Sequence, residues 1–123
     1  MTDIRALAED FVDLFYRQRR PRDAFEKHVA VDYVQHNPNM PDGRDHAIEM
    51  LVPLFGRPGA TFDVKRVIVD EPMFVVHLHG RPNAGEPGVA VADFFRVADG
   101  KIVEHWDVIQ PVPIAPANPH AMF

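Results

Sequence analysis

One carboxylate interrupts an otherwise apolar strand face in the C-terminal half of the sequence. Strand side chains alternate between two faces, and within residues 89–97 one face carries only Val and Phe apart from Asp93. The opposite face includes Arg96, a residue type that usually contacts solvent, so we expect the face of Asp93 to be buried. Desolvation makes a buried carboxylate a stronger base, which suits general-base catalysis. The alternative interpretation is that Asp93 faces solvent and has no catalytic role.

The segment after this strand decides which other side chains join Asp93. Asp99-Gly100 is a strong hairpin signal between two runs rich in strand-forming residues. The returning strand carries His105, Trp106 and Asp107. A two-residue turn would pair Asp93 with Trp106, whereas a three-residue loop with a glycine bulge would pair it with His105. In the first case Trp106 shares the cavity and in the second His105 and Asp107 do; the sequence leaves both open.

Two histidines, His77 and His79, offer further chemistry on the preceding strand. Their spacing places both on one face of that strand. With His36 or Asp93 as a third ligand they could bind a metal, but no further ligand motif supports this and no metal is expected. They could instead donate a hydrogen bond to an oxyanion or shuttle a proton, because imidazole titrates near neutral pH. The alternative without function is a polar, partly exposed strand face.

The elements that must position these groups fall into two blocks, helices first and strands afterwards. Apolar residues at helical spacing predict a first helix capped by Thr2 or Asp3, followed by helices over 22–28 and 44–55. The segment 29–37, which contains His36, is expected to be extended. Strands are predicted over 61–70, 72–81, 88–98 and 101–112, and the proline-rich segment 111–123 is expected to be an extended tail. This order is typical of an α+β fold with antiparallel strands.

Composition limits the classes of protein and partner. A chain of 123 residues suits one domain, and the absence of cysteine excludes disulfides and thiol nucleophiles. A net charge of −5, with the 13 Lys and Arg in no long run, argues against nucleic acid as a partner. Apolar runs are too short for a membrane span, and the first residues lack secretory-signal features, so a cytoplasmic location is expected. The other face of the Asp93 strand predicts a homodimer because it is too apolar for water: Ala90, Ala92, Phe94 and Ala98.

With these patterns in place, the sequence resembles the SnoaL-like polyketide cyclase family of the nuclear transport factor 2-like superfamily. The resemblance lies in the run DFFRVADGKIVEHWDV, preceded by YVQHNP and by the histidine pair. It implies a single SnoaL-like domain over residues 1–123 with a cone-shaped α+β barrel. In such a barrel a curved mixed, mostly antiparallel sheet packs on three N-terminal helices, encloses one pocket and dimerises through its outer face.

The resemblance also assigns site residues. Asp93 takes the position of the acid/base aspartate of the cyclases, and His79 takes that of their pocket histidine. His77 stands where the cyclases carry Gln. The resemblance thus predicts a cofactor-free enzyme in which Asp93 removes a proton α to the carbonyl of a small apolar compound. His79, with help from His36 or His77, would stabilise the enolate, leading to aldol-type cyclisation or isomerisation.

The strand after the hairpin supplies two further expected contacts, and the same residues also fit two other functions. Trp106 and Asp107 are expected to contact the substrate. The protein could instead be a dimeric module that only binds a small apolar ligand, since fold does not fix function. It could also be an epoxide hydrolase, which would need Asp93, Arg81 and Asp107 around one water molecule.

Overall fold

The computed structural model describes residues 3–123 and arranges them as helices followed by strands. The helices are α1 (Ile4–Val12), which continues into a π-helical turn (Asp13–Arg17), α2 (Pro21–His28) and α3 (Arg44–Phe55). The strands are β1 (Val29–Gln35), β2 (Thr61–Asp70), β3 (Met73–Arg81), β4 (Val89–Ala98) and β5 (Lys101–Pro111). The predicted α+β fold class is confirmed, and the element boundaries fall close to those read from the sequence.

The helices pack their apolar stripes onto one face of the sheet. Asp3 caps α1 by accepting a hydrogen bond from the backbone N–H of Ala6 at 3.1 Å; Thr2 lies outside the described residues. Phe11 of α1 is fully buried and contacts aromatic rings of α2, β3 and β4. At the far end of the core, Phe55 of α3 stacks on Phe62 with ring centroids 3.8 Å apart. These contacts tie the helices to the sheet through side chains of both layers.

The sheet is mixed and not closed, with strand order β1-β5-β4-β3-β2. β1 pairs with β5 in parallel, and every other neighbouring pair is antiparallel. In the β3–β4 ladder Val76 lies opposite Asp93 and Leu78 lies opposite Val91, and Val76 and Leu78 are buried in the core. The face of Asp93 is therefore the face that meets the helices, as the alternation predicts.

One extra residue in the β4–β5 hairpin sets the register of the candidate site. Asp99 and Gly100 both have positive φ, 51° and 76°, as a two-residue hairpin turn requires. Val97 pairs with Ile102, but Arg96 pairs with Glu104, so Val103 is unpaired and forms a bulge. Beyond the bulge Asp93 pairs with Asp107. Neither predicted pairing of Asp93, with Trp106 or with His105, is correct, because the turn has two residues and the bulge lies within β5.

The chain after β5 returns to the outer face of the sheet, away from the helices. The ring of Phe123 stacks on His79, with centroids 4.5 Å apart, and lies 5.5 Å from Nζ of Lys65. The tail therefore covers part of β2 and β3 on the side opposite the core. Among the helices of residues 3–123, none has the length and apolar character needed to cross a bilayer.

Candidate active site

A largely apolar cavity of about 230 Å³ lies between the helices and the inner face of the sheet. Aromatic rings form much of its wall: Phe15, Phe25, Phe55, Phe62 and Phe95. A cavity of about 150 Å³ is enough to hold benzene in another protein. The space here therefore suits a molecule of one or two rings.

Three side chains able to accept or donate protons meet at the wall of this cavity. Asp93 on β4 and His105 and Asp107 on β5 place one nitrogen or oxygen atom each within 4.8 Å of one another. Asp93 is 8% exposed and His105 is 7% exposed. Two carboxylates directly opposite each other in a sheet repel, so a positive charge or a proton between them is required for stability. The imidazole of His105 is placed to supply it.

Both carboxylate oxygens of Asp93 have hydrogen-bond partners. The hydroxyl of Tyr16 donates to Oδ2 at 2.5 Å, and Nε2 of His105 lies 2.9 Å from Oδ1. Burial and the neighbouring charge of Asp93 raise the pKa of Tyr16 well above its usual value, so its hydroxyl stays a donor. Tyr16 reaches the cluster from the π-helical turn after α1, a distortion often found at functional sites.

Two amide side chains at the end of β1 have their orientations fixed by the backbone. Oε1 of Gln35 accepts from the N–H of Asn37 at 2.9 Å, and Oδ1 of Asn37 accepts from the N–H of Asn39 at 2.8 Å. The oxygen of Gln35 therefore faces Nδ1 of His105 at 2.7 Å. The amide nitrogen of Asn37 donates to Oδ2 of Asp107 at 2.8 Å.

These contacts fix the number of protons on the Asp93–His105 pair. Because Gln35 presents an oxygen, Nδ1 of His105 must carry a hydrogen. A single proton then lies between Nε2 of His105 and Oδ1 of Asp93, carried either by an imidazolium beside a carboxylate or by a carboxylic acid beside a neutral ring. The pair is neutral in both states. A proton can move within the pair without creating an unpaired charge in the apolar cavity.

Asp107 differs from Asp93 in having an oxygen open to the cavity. Its Oδ2 accepts from Asn37 and lies 3.9 Å from Nε2 of His105. Its Oδ1 has no hydrogen bond to the residues that the structure describes, and Asp107 lines the cavity. Among the three groups of the cluster, Asp107 therefore has a free acceptor for a ligand.

Residues 8–105 match the family model of the SnoaL-like domain. The chain belongs to the SnoaL-like domain family. No curated protein sequence matches this SnoaL-like chain. The predicted family is therefore confirmed by a match that covers most of the chain.

Solved structures with the same fold support this SnoaL-like architecture. A protein of unknown function from Mesorhizobium loti, described as NTF2-like, has a TM-score of 0.72 at 24% identity, covering 87% of this chain and 90% of its own. TsrD from Streptomyces laurentii has a TM-score of 0.67 at 20% identity, covering 89% and 91%. A protein from Jannaschia sp. CCS1, named provisionally as a SnoaL-like polyketide cyclase, has a TM-score of 0.64 at 21% identity, covering 89% of each chain. At these identities the likeness shows the fold alone.

The SnoaL-like structure does not bring the predicted histidine pair to Asp93. His77 pairs with Ala92 and His79 pairs with Ala90, on the outer face of the sheet. His79 lies 2.7 Å from the carbonyl oxygen of Pro87, and His77 contacts Arg66. The placement of His79 and His77 in the pocket was wrong, because the even-numbered residues of β3 face the helices. For the same reason the pair cannot share a metal with Asp93.

Three further predicted site residues also lie outside the cavity. Trp106 points to the outer face, where its ring stacks on that of His36 with centroids 4.7 Å apart. Nε2 of His36 lies 2.6 Å from Glu104. Nε of Arg81 donates a hydrogen bond to the carbonyl oxygen of Glu86 and does not join a cluster with Asp93. The predicted roles of Trp106 and His36 in substrate contact, and of Arg81 in an epoxide hydrolase cluster, do not fit this placement.

Asp93 and Asp107 are the predicted site residues that line the cavity, and several partners were not predicted as site residues. Alternation along β1 and the two residues after it groups Tyr33, Gln35 and Asn37 on one side, and that side faces the cavity. Tyr16 has no comparable signal, because a regular helix continued from α1 would not place it on the apolar stripe. The π-helical turn adds a residue and rotates it inward.

Proposed function

We propose that this SnoaL-like protein catalyses proton transfer next to the carbonyl group of a small, largely apolar compound. The observation that carries the proposal is the Asp93–His105–Asp107 cluster at the wall of an apolar cavity, in which Nε2 of His105 lies 2.9 Å from Oδ1 of Asp93. A neutral proton-holding pair beside a carboxylate with an open oxygen is an acid and a base in one site. The step requires protein groups only and proceeds without a cofactor.

The hydrogen bonds favour different roles for the two carboxylates, Asp107 as the base and Asp93 as part of the proton donor. Oδ1 of Asp107 takes the proton α to the carbonyl. Both oxygens of Asp93 already have hydrogen-bond partners, Tyr16 and His105, whereas Asn37 occupies only Oδ2 of Asp107. Asp93 acts together with His105, and their shared proton is delivered to the product. The proton taken up by Asp107 then returns to the pair through Nε2 of His105, 3.9 Å from Oδ2 of Asp107, which restores the starting state. The enolate formed in the first step either closes on a second carbonyl, as in an aldol reaction, or is reprotonated at another carbon, as in an isomerisation.

The cavity limits the size of the substrate. A volume of about 230 Å³ suits a compound of one or two rings. The provisional name of the Jannaschia relative, a polyketide cyclase, fits chemistry through an enolate. The sequence-based expectation of a small apolar carbonyl compound is kept in this proposal, with Asp107 in the role of base first assigned to Asp93, and with Asp93 and His105 together as the proton donor.

Hydrogen–deuterium exchange tests the first chemical step without knowledge of the full substrate. Cyclohexanone, acetophenone and 2-tetralone are incubated with the protein in D2O, and loss of the α-proton signal is followed by NMR. We expect exchange above the buffer rate for at least one ketone. Asp107→Asn and Asp93→Asn should each lower that rate by about 10²–10⁴-fold, the usual contribution of a general acid or base.

A variant on the outer sheet face provides the matched control. His79→Gln should exchange at the wild-type rate, because His79 lies on the opposite side of the sheet from the cluster. Loss of exchange in His79→Gln with full activity in Asp107→Asn would refute the assignment. Ketones that raise the melting temperature of the protein and show no exchange would instead support the ligand-binding alternative.

A further inference from the structure

The hydroxyl of Tyr33 has a proton that no side chain of the described structure accepts. Tyr33 lies on β1, lines the cavity and is 3% exposed. Its oxygen receives a hydrogen bond from Nε2 of Gln35 at 2.9 Å, and this is the one hydrogen bond of the hydroxyl within residues 3–123. A tyrosine hydroxyl is both acceptor and donor. The contact with Gln35 uses it as an acceptor.

The direction of that contact follows from the orientation of Gln35. The backbone N–H of Asn37 can only donate, so the atom of Gln35 that it meets at 2.9 Å must be the carbonyl oxygen. The other end of the amide, which faces Tyr33, is therefore NH₂. Tyr33 cannot donate to an NH₂ group. Its O–H hydrogen must point elsewhere, and the remaining space beside this side chain is the cavity.

We propose that Tyr33 donates a hydrogen bond to the carbonyl oxygen of the bound compound and is a further catalytic residue. This inference rests on the proposed function. As Asp107 removes the α-proton, negative charge moves onto the substrate oxygen, and a fixed donor at that point stabilises the transition state. Asp107 cannot serve as this donor, since it begins the step as a carboxylate. The two amide side chains at and just after the end of β1 are already used, Gln35 by His105 and Asn37 by Asp107.

The protonation state of Tyr33 agrees with this role. Burial raises the pKa of Tyr33 to about 12, against a usual value of 10.0. The hydroxyl therefore keeps its proton across the range in which a carboxylate base works. Tyr33 would polarise the carbonyl as a neutral donor and would not transfer the proton fully.

The carbonyl stretching frequency of bound acetophenone tests the inference without turnover. The probe has one ring and a single carbonyl, and difference infrared spectra with carbonyl-¹³C acetophenone isolate its band. In the wild-type protein we expect the band at lower frequency than in hexane. In Tyr33→Phe it should return toward the hexane value, and binding should weaken about 2- to 10-fold, the effect of one neutral hydrogen bond.

Met40→Leu is the matched control, because Met40 lines the same cavity, contacts Gln35 and has no hydroxyl. It should leave the carbonyl band at the wild-type frequency. Where a ketone undergoes exchange, Tyr33→Phe should lower kcat about 10²–10³-fold with a much smaller change in KM. A large fall in kcat with little change in KM is expected of a donor that acts in the transition state, and not of a residue that only shapes the cavity.

Three results would overturn the inference. They are a wild-type band at the hexane frequency, a low-frequency band that persists in Tyr33→Phe, and no binding of acetophenone to the wild-type protein. The first needs no variant, so a Tyr33→Phe protein that fails to fold leaves the test intact. Failure of the proposed function looks different: acetophenone would bind with a Tyr33-dependent band shift, but no ketone would exchange its α-protons.

Discussion

Replacing Tyr16 with Phe should lower the free energy of unfolding more in the wild type than in an Asp93→Asn variant, because the hydroxyl of Tyr16 donates a hydrogen bond to the carboxylate of Asp93. The hydroxyl of Tyr16 lies 2.5 Å from Oδ2 of Asp93, and Tyr16 is 2% exposed. Phe retains the ring and its contacts with Phe11 and Phe15. The substitution therefore removes one hydroxyl and leaves one carboxylate oxygen without its donor.

The size of the effect follows from the charge and burial of the acceptor. A hydrogen bond to a charged group contributes about 1.5–3 kcal/mol, against about 0.5–1.5 kcal/mol for a neutral pair, and Asp93 is charged whenever the shared proton is on His105. Asp93 is 8% exposed, so little water can replace the lost donor. We expect Tyr16→Phe to lower the free energy of unfolding by about 2–3 kcal/mol in the wild type. In an Asp93→Asn background the same change should lower it by about 1 kcal/mol, because the acceptor is then neutral.

Urea denaturation of the four proteins of this double-mutant cycle measures the difference directly. The single tryptophan, Trp106, reports unfolding by fluorescence, and it lies on the outer sheet face away from both substitutions. The expected coupling is about 1–2 kcal/mol between Tyr16 and Asp93. Equal losses in the two backgrounds would show that the two side chains do not interact energetically. The buried cluster as described would then be wrong.

Two further predictions concern the helices and the outer face. Hydrogen bonds from Lys27 and from His28 lower the pKa of Asp10 below its usual value of 3.8. These hydrogen bonds therefore stabilise the fold above pH 3.8, and their contribution is lost as the pH falls through the lowered pKa. The urea midpoint should therefore fall less between about pH 5 and about pH 2.5 in Asp10→Asn than in the wild type, and an identical fall in both proteins would contradict this. The homodimer expected from the sequence should form through the outer face, where Val108 is 66% exposed beside Trp106. Light scattering after size exclusion should give twice 13.9 kDa for the wild type and 13.9 kDa for Val108→Glu, and a monomeric wild type at micromolar concentration would refute it.

The order and type of the elements could be predicted from the sequence because their signals are local. Residues 44–55 form a helix and residues 61–70 form a strand where periodicity places them. Asp99-Gly100 forms the two-residue turn that its residue types favour. The orientation of Asp93 was also predictable, since alternation along one strand separates its face from that of Arg96.

The histidine pair was misplaced by the motif resemblance, although strand alternation favoured the other face. Alternation within β3 places Phe74, Val76 and Leu78 on one face and His77 and His79 on the other, and the wholly apolar face meets the helices. A resemblance between motifs placed His79 in the pocket, but the pairing of His79 with Ala90 turns it outward. A shift of one residue in register reverses every side chain of a strand, so a motif match by itself does not determine which face a residue occupies.

The sequence by itself determined an α+β fold with one carboxylate on an apolar strand face. The tertiary structure decided what surrounds that carboxylate. The bulge at Val103 turns His105 and Asp107 inward, and the π-helical turn brings Tyr16 to Asp93. Each irregularity adds a single residue to an element and is stabilised by packing against distant strands and helices. Local residue preferences therefore do not reveal it.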